Sequence, residues 1–263
     1  MKRLTGSLPT VLTLLLAVAL LVHGPIPQWP TYHDFADARS LAGIPRAADV
    51  LSNCGFALVG FAGLVWLSLG TRYRALGTAW PGYATFLVAL VLTALGSGFY
   101  HVAPDNGRLV WDRIPIALAC AGLTAGVRAD THDDGHALPI TVVLVVVAVA
   151  SVVWWHVTET QGQGDLRPYA LVQMSPACLV PLWQAQAHAP RNDRIAFGAA
   201  IVLYFVARAA EMNDRALFEA LGWVSGHTLK HLVATCAAAV IVARLIVRAR
   251  GVSHSRAGAA EAI

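Results

Sequence analysis

Long runs of residues with almost no charge recur along this chain, and they leave few folds open. They fall at roughly 8–23, 50–70, 83–101, 113–128, 138–156, 168–187, 195–212 and 227–248. A bilayer's hydrocarbon core is about 30 Å thick, and a helix of about 20 apolar residues crosses it. In lipid the backbone must satisfy its own hydrogen bonds, so such runs become helices. The sequence therefore predicts an all-α fold, a polytopic membrane bundle of eight helices. Composition agrees: 57% of the residues are hydrophobic and 13% charged, where a soluble domain carries about a quarter charged. The connecting segments are short and rich in Gly, Pro, Asp and Asn. The exception is 24–49, long enough to fold over a membrane surface.

The first run follows Lys2 and Arg3, as in a signal peptide, but bulky, proline-rich "LLVHGPIPQWP" stands where a small-residue cleavage site belongs. It is expected to remain as a first helix. Eight crossings place both termini on one side, and the Lys/Arg bias says which. With a cytoplasmic N-terminus, the inner segments hold eleven basic residues and the outer loops five; adding helix-embedded Arg113, Arg208 and Lys230 to the outer side raises that to eight. Both termini are expected to be cytoplasmic. Scattered basic residues offer no nucleic-acid surface, and no protein partner is implied. Cys54, Cys120, Cys178 and Cys236 each lie in an apolar segment without metal-ligand spacing and read as packing residues.

Ionisable residues within membrane helices are expensive there and mark function. The third run ends "GSGFYH", with Ser97 and His101 four apart. The fourth begins "WDRIP", with Asp112 expected in its first turn, and the last begins "SGHTLKH", with His227 and His231 four apart. On the expected topology all five lie at the outer face. A four-residue step keeps both side chains of a helix on one side, so His227 and His231 can grip one Zn²⁺. The Thr-Leu-Lys between them lacks the glutamate of HExxH. His101 can complete a three-histidine site with an open fourth position, where Zn²⁺ lowers the pKa of water toward about 7. Asp112 is the carboxylate placed to shuttle the proton, and Ser97 the donor for a developing oxyanion. Each residue also has an ordinary role: interfacial histidine, helix cap for Asp112, small packing contact for Ser97.

The order Ser-x3-His, then Asp on the next helix, then His-x3-His on the last, carried by "GSGFYHVAPDN", "LVWDRIP" and "SGHTLKHL", resembles the alkaline ceramidase family. It is also similar to the wider superfamily of progestin and adipoQ receptors and haemolysin-III-like proteins. The resemblance covers roughly 31–248. It implies a seven-helix zinc amidohydrolase core (31–250) preceded by an extra transmembrane helix (1–30); the sequence of 251–263 itself reads as a disordered tail. It makes His101, His227 and His231 zinc ligands, Asp112 the group that orients or deprotonates the zinc water, and Ser97 the oxyanion donor. It implies a membrane lipid substrate whose N-acyl amide is cleaved to a long-chain base and a fatty acid. It also offers Asp34 and Asp37, with Asp49 as third ligand, to Ca²⁺. Arg39 and Arg46 depart from the family pattern there, and the competing reading is a surface loop whose Asp34, Asp37, Arg39 and Arg46 pair among themselves.

Two other functions compete. A receptor or lipid sensor of the same superfamily would hold zinc without turnover. A b-type haem protein would use paired histidines, but haem between helices needs one axial ligand from each. Lys230, 60–100° around the helix from its histidine neighbours, is expected to snorkel to the interface. Arg208 and Glu211 are expected to pair, Asp165 and Arg167 to lie at the outer mouth, and Trp111, Trp154, Trp155 and Trp223 to form an interfacial belt.

Overall fold

The computed structural model describes residues 7–132 and 135–260, with side chains through Gly251. The described residues form helices α1 (Leu8–His23), α2 (Ala47–Ser52), α3 (Cys54–Ser68), α4 (Trp80–Val102), α5 (Asn106–Thr131), α6 (Ala137–Thr160), α7 (Arg167–Gln186), α8 (Arg191–Met212), α9 (Asp214–Leu221) and α10 (Gly226–Ala260). A 3₁₀ stretch, Leu69–Ala79, turns the chain between α3 and α4, with positive φ at Gly70, Thr71 and Gly77. No strand occurs among the described residues; Leu41 and Ile44 form a single isolated bridge.

Five stretches are long and apolar enough to cross a membrane: Ala47–Val102, Asn106–Thr131, Ala137–Thr160, Arg191–Met212 and Gly226–Gly251. The first folds back on itself, because Gly60 of α3 faces Leu90 while Gly63 faces Leu87. α1, at 16 residues, is shorter, and α7 carries two interior prolines. The outward surfaces are apolar: Leu14, Leu15 and Val18 on α1, Val142, Val143 and Val146 on α6, and Val202, Phe205 and Val206 on α8 are all exposed. Such wide apolar faces suit hydrocarbon and not water. The chain is a multi-pass, all-helical membrane protein.

Three local outcomes differ from the sequence expectation. α5 starts at Asn106 instead of 113, because the Asp105 carboxylate accepts the Arg108 backbone N–H at 2.7 Å and caps the helix. Asp112 is therefore not a first-turn or capping residue; it sits nearly two turns in and is buried. α10 continues to Ala260, past the Arg250 where an irregular tail was expected; no proline interrupts this alanine-containing stretch. Residues 261–263 lie outside the described residues. Finally, Trp155 leaves the expected belt and is fully buried, while Trp111, Trp154 and Trp223 stay exposed.

The bundle is held by a seam of small residues between α4 and α5. A Cβ on Gly122 would stand 2.5 Å from the Phe86 nitrogen, and one on Gly82 would be driven into the backbone of Gly126. Gly96 repeats this nearer the other end of α4, where a Cβ would run into the Trp111 carbonyl oxygen. Small residues let membrane helices approach backbone to backbone. Here the approach presses Ser97 against the turn that carries Asp112. At the far end of the bundle Asp130 accepts from Tyr83 at 2.5 Å and from both terminal nitrogens of Arg248 at 2.6 and 2.8 Å, tying α4, α5 and α10 together.

Gly96→Ala is expected to force α4 and α5 apart, at a cost of about 1–3 kcal/mol or more. Gly98→Ala, whose Cβ meets nothing within 4 Å, should leave the thermal unfolding midpoint of purified protein close to wild type. Equal midpoints for both variants would contradict the seam.

Candidate metal centre

Each imidazole is delivered by a local feature of the chain. His101 lies in the last turn of α4. α10 begins where the Ser225 hydroxyl accepts the Thr228 backbone N–H at 3.0 Å, an N-cap that sets His227 and His231 on its first two turns. Gly226 is required there, since a Cβ would collide with the Ala210 carbonyl oxygen. Asp214, at the start of α9, accepts from the backbone N–H of His227 at 2.7 Å and of Ala36 at 2.8 Å. It thereby clamps the 24–46 segment onto the start of α10.

His101, His227 and His231 are all buried, and one ring nitrogen of each lies within 4.8 Å of the others. Ring centroids are 4.8, 5.1 and 4.8 Å apart. The Nε2 atoms of His101 and His227 stand 3.3 Å apart. Two nitrogens on a tetrahedral zinc, at about 2.0–2.1 Å each, are separated by roughly 3.3–3.4 Å. His231 Nδ1 bonds the Ser52 hydroxyl at 2.8 Å and the Asp49 backbone carbonyl. Its Nε2 is buried with no partner, although buried polar atoms rarely go unpaired. A cation shared by the three rings would satisfy that nitrogen. Ser52 then has the outer-shell role of orienting a ligand histidine.

Asp112 and Ser97 join this site without entering the ligand group. The Ser97 hydroxyl bonds the Asp112 carboxylate, and both line the same cavity as His227 and His231. That cavity, about 680 Å³, runs between α4, α5, α7, α8 and α10 and is walled deeper down by apolar residues such as Phe86, Leu123, Phe197 and Ile241. Its size and its few convergent polar groups fit a small-molecule or single-lipid site.

The sequence reading missed several participants. Phe35 lies edge-on to the rings of His101 and His227, at 4.7 and 4.5 Å, and roofs the cluster. His33 fastens that roof through Tyr100 and Asn106, both at 2.9 Å. Only the length of the 24–49 segment hinted at such a cover. Lys230 reverses its expectation: it does not snorkel outward. Its ammonium bonds Glu211 at 2.8 Å and stands 3.3 Å from His227 Nε2. The reason is Glu211, which also pairs with Arg208 and supplies the counter-charge that lets a cation turn inward.

The three aspartates offered to calcium are not brought together as one ligand group. Arg39 forks onto Asp37 at 2.8 and 2.7 Å and donates to the Trp223 carbonyl at 2.8 Å. A guanidinium thus holds the carboxylate a divalent ion would need. It keeps Asp37 below the usual carboxylate range, a stabilisation present near neutral pH and lost as pH falls through that lowered value. Asp49 is fully buried and accepts from Thr228 at 2.6 Å, while Asp34 is exposed at the cavity rim. Among the described residues the histidine cluster is the one group of three or more arranged for a metal. Asp165 and Arg167 pair at 2.9 Å, and Trp154 donates to the same carboxylate at 3.0 Å.

No family model matches the chain, and neither does any curated protein or solved structure. The chemistry of the cluster is therefore read from its own atoms.

His231→Ala should abolish stoichiometric binding of a divalent transition metal by the purified protein. Ser52→Ala should keep the fold and weaken that binding about 10–100-fold. Metal analysis after dialysis against graded chelator measures both.

Proposed function

We propose that this protein is an integral-membrane zinc amidohydrolase that cleaves the N-acyl amide of a ceramide-like lipid to an amine base and a fatty acid. One observation carries the proposal: three buried imidazoles converge beside a Ser97–Asp112 pair at the head of a cavity with apolar walls. On this reading α3–α8 and α10 make up a seven-helix ceramidase-like core and α1 is an additional transmembrane helix. Both termini are cytoplasmic and the metal cluster lies toward the outer face, as the basic-residue bias suggests.

His101, His227 and His231 would hold the metal. When bound, Zn²⁺ supplies Lewis acidity and lowers the pKa of water toward about 7. Asp112 accepts the proton that water gives up and returns it to the amine nitrogen as the C–N bond breaks. Water's oxygen stays with the acyl carbon, so the products are a carboxylic acid and an amine. Ser97, engaged with Asp112 at rest, is placed to donate to the carbonyl oxygen as charge develops there. Phe35 limits water at the cluster, and the apolar walls of the cavity accommodate the acyl chain, which arrives sideways from the bilayer.

The decisive experiment combines zinc analysis with fatty-acid release from a panel of N-acyl lipids. Asp112→Asn should retain zinc and lose about 10²–10⁴-fold in turnover. Equal activity in wild type and variant would refute the acid–base role. A sensor that holds zinc without turnover would keep the metal and release no fatty acid from any lipid of the panel.

A further inference from the structure

Of the described cations that line the cavity, Lys230 and Arg208 pair with Glu211 and Arg215 is exposed, whereas Arg113 is buried and makes no ion pair. It follows Asp112 on α5, is 3% exposed, and lines the cavity. A guanidinium has five N–H donors and no acceptor. Among the described residues its hydrogen bond runs from Nη2 to the side-chain carbonyl of Gln28, while Nη1 is buried with no partner. What surrounds it is aromatic. Its guanidinium carbon stands 3.9 Å from the centre of the Trp155 ring and 5.3 Å from those of Tyr32 and Tyr169.

Aromatic faces stabilise a desolvated cation only in part, by about 2 kcal/mol at best, and an uncompensated buried charge costs more than that. The carboxylates that feel its field are already committed. Asp112 bonds Ser97, and Glu211 serves both Lys230 and Arg208. The Trp155 indole N–H is another buried donor without an acceptor. The neighbourhood thus has an excess of donors and positive charge and lacks one acceptor.

We infer that Arg113 is an anion-binding subsite: it receives an oxyanion, a carboxylate or phosphate, carried by the head group of the amide lipid that fills the cavity. Planar forks match such groups two bonds at a time. Gln28, Tyr32 and Tyr169 position the fork against the cavity wall. The preferred lipid is then an acidic N-acyl amide, such as an N-acyl amino acid, in place of a neutral one. This deepens the amidohydrolase reading and rests on it for the word substrate.

The test reads binding, so it does not depend on turnover. Full-length protein in detergent is titrated with N-lauroylglycine and with N-lauroylethanolamine, which share an acyl chain and amide but differ in the anionic group. Wild type should bind the acidic amide at least about tenfold tighter. Arg113→Gln should erase that preference and Arg113→Lys should keep part of it. His231→Ala separates the two sources of attraction: a preference due to the metal would vanish there and survive in Arg113→Gln. That pattern overturns the subsite, as does equal affinity of wild type for the two amides. Laurate is the third probe; if it shows the Arg113-dependent preference and the acidic amide does not, the assignment to the head group is wrong. Tight, Arg113-dependent binding of N-lauroylglycine without cleavage of any amide would sink the hydrolase and leave the subsite standing.

Discussion

Backbone contact between α4 and α5 governs how the polar machinery is arranged. At Gly96 the two helices approach so closely that no side chain fits between them. In water, burying apolar side chains would draw helices together; in lipid that force is absent and packing takes over. The glycines at 82, 96, 122 and 126 convert packing into position. Ser97 meets Asp112 because its neighbour has no Cβ, and His101, one turn further along α4, meets α10.

Around that contact the chain solves the problem of charge in a low-dielectric interior mostly by pairing. Asp130 takes Arg248 and Tyr83, Asp193 takes Arg244, and Glu211 takes both Arg208 and Lys230. Each arrangement gives an ionised group an opposite charge, without which it would be costly to bury. Among the exceptions are the histidine cluster, where His101 Nδ1 and His231 Nε2 have no partner, and Arg113, which makes no ion pair. Both open on one cavity. The unpartnered ring nitrogen at one and the unpartnered guanidinium nitrogen at the other are what the proposed cation and the proposed anion would each satisfy.

The 24–46 segment links fold and site. It crosses the mouth of the cavity with Gln28 touching Arg113, Tyr32 near the same guanidinium, and Phe35 over the histidines. Asp214 and the His33–Tyr100–Asn106 bonds hold it down. Any lipid reaching the cluster from the membrane must pass beneath this cover or between helices.

The sequence by itself determined the helices and the depth of the polar groups. Charge-free runs admit one regular structure in lipid, and their ends locate His101, His227 and His231 near one level. Helix periodicity even put His227 and His231 on one side of α10. Tertiary structure decided whatever depends on which faces meet. It made Asp112 an interior residue, because Asp105 took the cap. It turned Lys230 inward, because Glu211 from another helix offered a counter-charge. It withdrew Trp155 from the surface to stack against Arg113. The last two contacts, Lys230 with Glu211 and Trp155 with Arg113, do not follow from spacing along the chain: a charge in a low-dielectric interior goes where its partner is, and here the partner lies on a different helix brought close only by packing.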